Sequence, residues 1–313
     1  MGKKLSRIIK WVFGLLLISL FAFLLLNEFN VTTLTTLTKE LISNPGLLFA
    51  MVIGYTCSFL LRGLCWRLLV DRTISMRVYL AGIFYSLFFN HLLPFKGGEA
   101  VRMGVLAHKQ KGQWTTSIQS VVILRAIDLF WLGIFAMIGA ELFGITVSTT
   151  FLLGMITLCL VSVLILILYV RKKANAGFLY KQFAMMKKLV NSPYMVLIFL
   201  ISCLSWIAEG IVVYSVAGFN HHFAYLDAMW VTALSVGSGV FQLAPGGFAT
   251  YESVMSFSLH QVGIGWEEAF SIALVTHAFK YAYSFVAGLV AFYLYPLRFQ
   301  ELRSFMKKKG ETS

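Results

Sequence analysis

The sequence predicts an all-α polytopic membrane protein, with about six transmembrane helices and two re-entrant helical hairpins arranged as inverted repeats. Three observations carry that expectation. Of the 313 residues, 59% are hydrophobic and 12% charged, and the mean hydropathy is +0.81, whereas a soluble domain holds about 25% charged residues. Lys and Arg number 26 against 13 Asp and Glu, and they gather between the apolar stretches. Three charged motifs also recur in the second half of the chain in the same order. Ser58-Phe-Leu-Leu-Arg62-Gly63 is matched by Ser205-Trp-Ile-Ala-Glu209-Gly210, and Leu92-Leu-Pro94-Phe-Lys96-Gly97-Gly98 by Leu243-Ala-Pro245-Gly246-Gly247. Trp114 opens a stretch holding Arg125 and Asp128, and Trp266 opens one holding His277 and Lys280 at the same offsets.

Residues 8–27, 47–70, 115–141, 149–170, 194–217 and 269–295 are each long enough to cross a core of about 30 Å at about 1.5 Å per residue. Lys3 to Lys10 ahead of Trp11 to Leu26 resembles a signal peptide, but no small-residue cleavage site precedes Asn27-Glu28, so the stretch reads as a first span. Thr32 to Thr38 reads as a polar outer loop. Tyr79 to Phe95 and Leu226 to Ala244 are apolar but end in Pro-Phe-Lys-Gly-Gly and Pro-Gly-Gly. Each is expected to enter the bilayer as a half-helix and turn back through residues 99–107 or 248–261, a path tolerated at depth only inside protein or beside a wet cavity. The chain 1–313 is then a single membrane domain: first span 8–27, repeat one 47–141, linking span 149–170, repeat two 194–295 and a basic cytoplasmic tail 296–313.

Basic residues set the orientation. Lys3, Lys4, Arg7 and Lys10 precede the first span, Arg67, Arg72 and Arg77 follow the second, and Lys109 and Lys111 precede the third. Arg171 to Lys173, Lys181, Lys187 and Lys188 follow the fourth, and Arg298, Arg303 and Lys307 to Lys309 follow the sixth. All fall on one side, so both termini are expected in the cytoplasm, with Lys39 the exception. The formal charge of +13 then belongs to loops beside anionic lipid, and no nucleic-acid partner is expected. The first hairpin opens from inside and the second from outside, which makes the two halves inverted.

Charged side chains inside apolar segments cost roughly 2.5–3.5 kcal/mol each on insertion scales, so a fold that repeats them is expected to use them. At the first tip, Pro94 breaks the helix, and Gly97 and Gly98 permit positive φ and close approach. A helix restarting near Glu99 offers free N–H groups, with Lys96 and Arg102 nearby, as a site for an anion. Pro245, Gly246 and Gly247 supply the second break, with Glu252 about a turn into the next helix. Arg125 and Asp128 share a helical face and can neutralise each other. Arg62 is expected in the inner third of its span and Glu209 in the outer third of its own; Lys280 stands near mid-span, with His277 one turn earlier. Taken together, Arg62, Lys96, Arg102, Arg125 and Lys280 exceed Glu99, Asp128, Glu209 and Glu252 by one charge, which suits an anionic or zwitterionic phosphate head.

The motifs of nucleotide hydrolysis, serine hydrolases and zinc peptidases do not occur. Cys57, Cys65, Cys159 and Cys203 lack paired or metal-like spacing, and His221-His222 with Asp227 reads as a solvated outer loop, so neither metal nor other cofactor is expected.

Pro94 followed by Gly98-Glu99-x-x-Arg102, Leu124-Arg125-Ala-Ile-Asp128, and Pro245-Gly246-Gly247-Phe-Ala249-Thr-Tyr-Glu252 resemble the flippase-like membrane region of the lysylphosphatidylglycerol synthases. The resemblance covers nearly the whole chain, which is expected to be a stand-alone member lacking the soluble aminoacyltransferase domain. Leu124 stands where that family commonly has Glu, and Ala249 where it frequently has Gly. The resemblance implies transbilayer movement of a lipid such as aminoacylated phosphatidylglycerol in a bacterial cytoplasmic membrane. Arg125, Lys280, Lys96 and Arg102 are expected on the phosphate and the four carboxylates to balance charge. An integral aminoacyl- or glycosyl-transferase acting on lipid is the rival reading, but the inner loops offer little room for an aqueous donor site. Expected partners are lipids with anionic or zwitterionic heads, and beyond them a second copy of the chain or a separate lipid-modifying enzyme.

Overall fold

The computed structural model describes residues 2–93, 97–110, 113–142, 187, 190–218, 223–241, 244–297 and 301. Pro94, Lys96, the linking span 149–170, His221 and His222, and the tail beyond 297 apart from Glu301 lie outside the described residues. Ten α-helices cover most of what is described: α1 (Gly2–Asn27), α2 (Val31–Ser43), α3 (Pro45–Val70), α4 (Met76–Leu92), α5 (Gly98–Lys109), α6 (Trp114–Leu142), α7 (Met195–Ala217), α8 (Tyr225–Gly237), α9 (Thr250–Gln261) and α10 (Trp266–Leu294). Four of them, α3, α6, α7 and α10, are each long and apolar enough to cross a membrane. A fifth crossing requires Leu15–Asn27 and Val31–Ser43 together, which meet at 94°.

The threonine run is a helix, not the loop expected. Asn30 caps it: its Oδ1 accepts from the backbone N–H of Thr32 at 2.8 Å and of Thr33 at 3.4 Å. Thr35 and Thr38 donate their hydroxyls to backbone carbonyls one turn earlier, so the polar side chains cost the helix little. Leu37 and Leu41, one turn apart, bury its other face. Thr33 also hydrogen-bonds Glu267 at the start of α10.

Each hairpin is built on a glycine. In α4–α5, a Cβ on Gly98 would stand 2.1 Å from the Ser86 carbonyl oxygen, so only glycine lets the two helices touch there. The Gly98 N–H donates to Asn90 Oδ1 at 3.0 Å. Gly97, which could have taken positive φ, is right-handed helical at φ −60°. Left-handed backbone occurs at the second tip, where a 3₁₀ turn over Pro245–Gly247 places Gly246 at φ 66°. Tyr281 Oη would lie 2.0 Å from a Cβ on Gly246. Ala249 also has φ 68°, a conformation costing a side-chain-bearing residue about 1–3 kcal/mol.

The order long helix, helical hairpin, long helix occurs twice, as α3–α6 and α7–α10. The short helices α5 and α9 both have 12 residues, and the last helices α6 and α10 both have 29. Packing is reciprocal: α4 lies on α10 and α8 on α6, while α3 and α7 form the most extensive helix pair between the two sets. The outward faces carry large exposed apolar side chains, such as Val122, Leu129 and Phe130 on α6 and Phe285, Leu289 and Tyr293 on α10. A surface of this kind needs lipid rather than water around it. The fold is that of a multi-pass α-helical membrane protein.

Candidate functional site

The charged residues of the apolar segments converge between the hairpin tips. Arg62 of α3 and Glu209 of α7 make an ion pair with Nη2 to Oε2 at 2.6 Å. Expected in the inner third of one span and the outer third of the other, they are joined by side chains reaching along the α3–α7 contact, and each neutralises the other. Glu209 Oε1 accepts from Lys280 Nζ at 2.9 Å. Aromatic faces complete this cluster: the Arg62 guanidinium lies 4.1 Å from the Trp206 ring centroid, and Lys280 Nζ lies 5.4 Å from Tyr55 and 5.2 Å from Tyr251.

A second cluster joins α5 and α6. Arg125 Nη2 pairs closely with Glu99, and its Nη1 lies 3.6 Å from Asp128. Asp128 Oδ1 accepts from Ser202 Oγ at 3.3 Å and from Trp206 Nε1 at 3.2 Å, so it is held by three groups. Arg102 lies 3.9 Å from Glu99 and 4.3 Å from the Trp66 ring centroid. A third pair lies at the other tip, with His277 Nδ1 2.7 Å from Glu252 Oε1 and Nε2 3.2 Å from the Gly246 carbonyl oxygen.

Two cavities run along these clusters, one of about 70 Å³ beside Arg102, Arg125 and Asp128, the other of about 180 Å³ beside Glu209, His277 and Lys280. Both are lined by Arg62, Arg125 and Asn90. Arg125 differs from the other paired cations: its side chain is 45% exposed, against 8% for Arg102 and 5% for Lys280. Paired with Glu99 and Asp128 like its neighbours, it nevertheless turns part of its side chain to the cavity.

Of the residues singled out in the sequence, Arg62, Arg102, Arg125, Asp128, Glu209, Gly246, Gly247, His277 and Lys280 line one or both cavities. Glu99 and Glu252 are tied in through their pairs with Arg125 and His277. Gly97 and Gly98 shape the turn into α5, Pro245 offers its carbonyl to Tyr281 Oη at 2.7 Å, and Lys96 lies outside the described residues. Sequence reasoning passed over Asn90, His91, Tyr55, Tyr251 and Trp206. Asn90-His91 had a readable signal, two polar residues at the end of an apolar half-helix. The aromatic residues had none, because nothing in their spacing separates a cavity wall from ordinary core.

A lipid-surrounded helical fold with a buried network of ion pairs at its centre defines a polytopic membrane protein with a polar intramembrane cavity. The chain belongs to the family described as the lysylphosphatidylglycerol synthase TM region, which matches residues 11–288. Among curated proteins it resembles phosphatidylglycerol lysyltransferase from two strains of Staphylococcus epidermidis, each 31% identical over 111 residues. That match spans 35% of this chain and 13% of the relatives. No solved structure matches.

Proposed function

We propose that the chain moves the phosphate-bearing head of a membrane lipid, such as aminoacylated or unmodified phosphatidylglycerol or a polyprenyl phosphate, across the bacterial cytoplasmic membrane. The observation that carries this reading is Arg125, half-exposed on the wall common to both cavities. A guanidinium presents paired donors that fit two oxygens of a phosphate. The head enters between the hairpin tips, exchanges water for Arg125 and the neighbouring polar groups, and leaves on the other side while the acyl or prenyl chains stay in lipid. The two hairpins act as the re-entrant parts of halves inverted in the membrane, with both termini cytoplasmic, and rocking of one half against the other alternates access. With the inside negative, outward movement of one negative charge is favoured by about 2.3 kcal/mol per 100 mV, so an anionic lipid needs no nucleotide hydrolysis.

Reconstitution into vesicles containing headgroup-labelled phosphatidylglycerol tests this reading. The expected result is label crossing between leaflets at a rate that Arg125→Ala abolishes. Transfer of an aminoacyl group to lipid without crossing would favour the rival transferase reading, which the name of the staphylococcal relatives suggests. Neither crossing nor transfer would refute both.

A further inference from the structure

We propose that His277 and Glu252 form a proton-binding site whose occupancy holds the second hairpin tip in place and strengthens anion binding in the adjoining cavity. The second half of this statement rests on the headgroup reading above; the proton site does not. His277 Nε2 lies 3.2 Å from the Gly246 carbonyl oxygen, which can only accept, so Nε2 carries a hydrogen. Nδ1 lies 2.7 Å from Glu252 Oε1. Two lone pairs do not rest at that distance, so a second proton lies between them. The pair is either imidazolium with carboxylate or imidazole with carboxylic acid. Both forms hold one proton more than a neutral histidine beside a carboxylate. His277 is 3% exposed and Glu252 1%, and Glu252 Oε2 is buried with no hydrogen-bond partner among the described residues.

Losing that proton has a structural consequence. If Nε2 keeps its hydrogen, the Nδ1 lone pair faces the carboxylate; if the hydrogen moves to Nδ1, the Nε2 lone pair faces the Gly246 carbonyl. Either way one hydrogen bond breaks. Among the described residues, the bond to Gly246 is one of two side-chain ties on the turn Pro245–Gly247, the other being from Tyr281 Oη to Pro245.

The neighbours of the pair are aromatic rings or already compensated charges. The Tyr251 ring of α9 lies 4.4 Å from the imidazole, tilted against it; from α4, His91 lies 6.2 Å away; on α10, Tyr281 lies 4.9 Å away. Lys280, one turn along α10, is compensated by Glu209 of α7. His91 already has Nδ1 2.9 Å from its own helix at the Leu87 carbonyl and no carboxylate pairs with it among the described residues, whereas His277 faces one directly. The rest of the described network sets Arg62, Arg102, Arg125 and Lys280 against Glu99, Asp128 and Glu209, an excess of one cation. With the His277–Glu252 pair protonated that excess stands; once the pair is deprotonated its negative charge cancels it. A monoanionic phosphodiester is therefore bound better with the proton than without, and the linkage is reciprocal. The two halves make the same point by contrast. Arg125 and His277 stand at equal distances from Trp114 and Trp266, and each faces a glutamate of the preceding short helix. One half carries a permanent cation there, the other a titratable one.

Infrared difference spectra of the full chain in detergent, taken from about pH 5 to about pH 9 to bracket imidazole, should show a titrating carboxyl or imidazolium band. Glu252→Gln and His277→Gln should each remove it. Calorimetry with dihexanoyl phosphatidylglycerol, whose phosphodiester keeps its charge over that range, should give an affinity that falls about fivefold or more as the pair deprotonates. Glu252→Gln, whose amide donates to Nδ1 as the protonated acid would, should hold the low-pH affinity throughout. His91→Gln leaves the pair intact and must retain the fall. A pH-independent affinity in the unsubstituted chain, or a fall that disappears with His91→Gln, overturns the proposal. So does a band that survives both substitutions in the pair. The two readings fail separately: vesicles that move no headgroup while the titration and linked binding are present sink transport alone, and movement with a flat affinity sinks the proton site alone.

Discussion

Glu209 divides its carboxylate between two cations, Arg62 on one oxygen and Lys280 on the other. That division ranks the consequences of removing each partner. Lys280→Met leaves Glu209 still paired with Arg62, whereas Glu209→Met strands two buried cations, and breaking a buried pair costs about 3–5 kcal/mol. Thermal unfolding in detergent should therefore show the larger loss for Glu209→Met, with Lys280→Met within about 2 kcal/mol of the unsubstituted chain. An equal loss for both would mean that the Arg62 contact contributes nothing. Arg125 and Asp128 should separate in a similar way. Asp128 accepts from Ser202 and Trp206 in the interior, so Asp128→Ala should lower stability by about 1–3 kcal/mol by leaving those donors unpaired. Arg125→Ala, whose side chain is partly open to the cavity, should cost no more stability than Asp128→Ala, yet lose phosphatidylglycerol binding in calorimetry. Exchanging the two side chains is a poor test of their pairing, since it would set an aspartate against Glu99 and an arginine against the Trp206 N–H.

The hairpins depend on a few positions where one helix needs another's space. Gly98 and Gly97 are adjacent and chemically identical, but only Gly98 faces the α4 backbone. Gly98→Ala should cost about 2–3 kcal/mol through overpacking. Gly97→Ala, helical and nearest to the flexible Leu93 side chain at 3.2 Å, should stay within about 1 kcal/mol. Comparable melting points for the two variants would show that α5 does not start against Ser86. The second tip is built differently, on left-handed residues and side-chain ties from His277 and Tyr281. Such a turn is held by bonds that can be released one at a time, while the first is held by helix-to-helix contact.

At the scale of the molecule, the two helical sets are alike in order but opposite in charge at two matching positions. Arg62 corresponds to Glu209 and Asp128 to Lys280, position for position within the repeated motifs. Opposite signs at matching positions are what allow α3 to pair with α7 where the halves meet, as Arg62 and Glu209 do. The basic residues of the loops also assign sides. Ser43, exposed between α2 and α3, and Thr73, exposed between α3 and α4, should lie across the membrane from each other, with Thr73 inside by the positive-inside rule. Impermeant maleimide applied to intact cells should label Ser43→Cys at once and Thr73→Cys only after permeabilisation. Labelling of both from outside would sink the orientation.

Composition and hydropathy by themselves determined the membrane class, and the motifs determined the family, because a hydrocarbon core leaves a chain few choices but apolar helices. The breaks at Gly98 and at Pro245–Gly247 were legible too, since proline and glycine act through local backbone geometry. The threonine helix was missed: its burial signal is Leu37 and Leu41 alone, and the Asn30 cap matters only once a helix is there to be capped. Which charges meet was beyond the sequence. Arg62 and Glu209 were not read as partners, and Glu252 was counted as a general counter-charge rather than the partner of His277. Those pairings depend on the offset and rotation of helices distant in sequence, and ion pairs act over a few ångströms, so tertiary packing alone decided them.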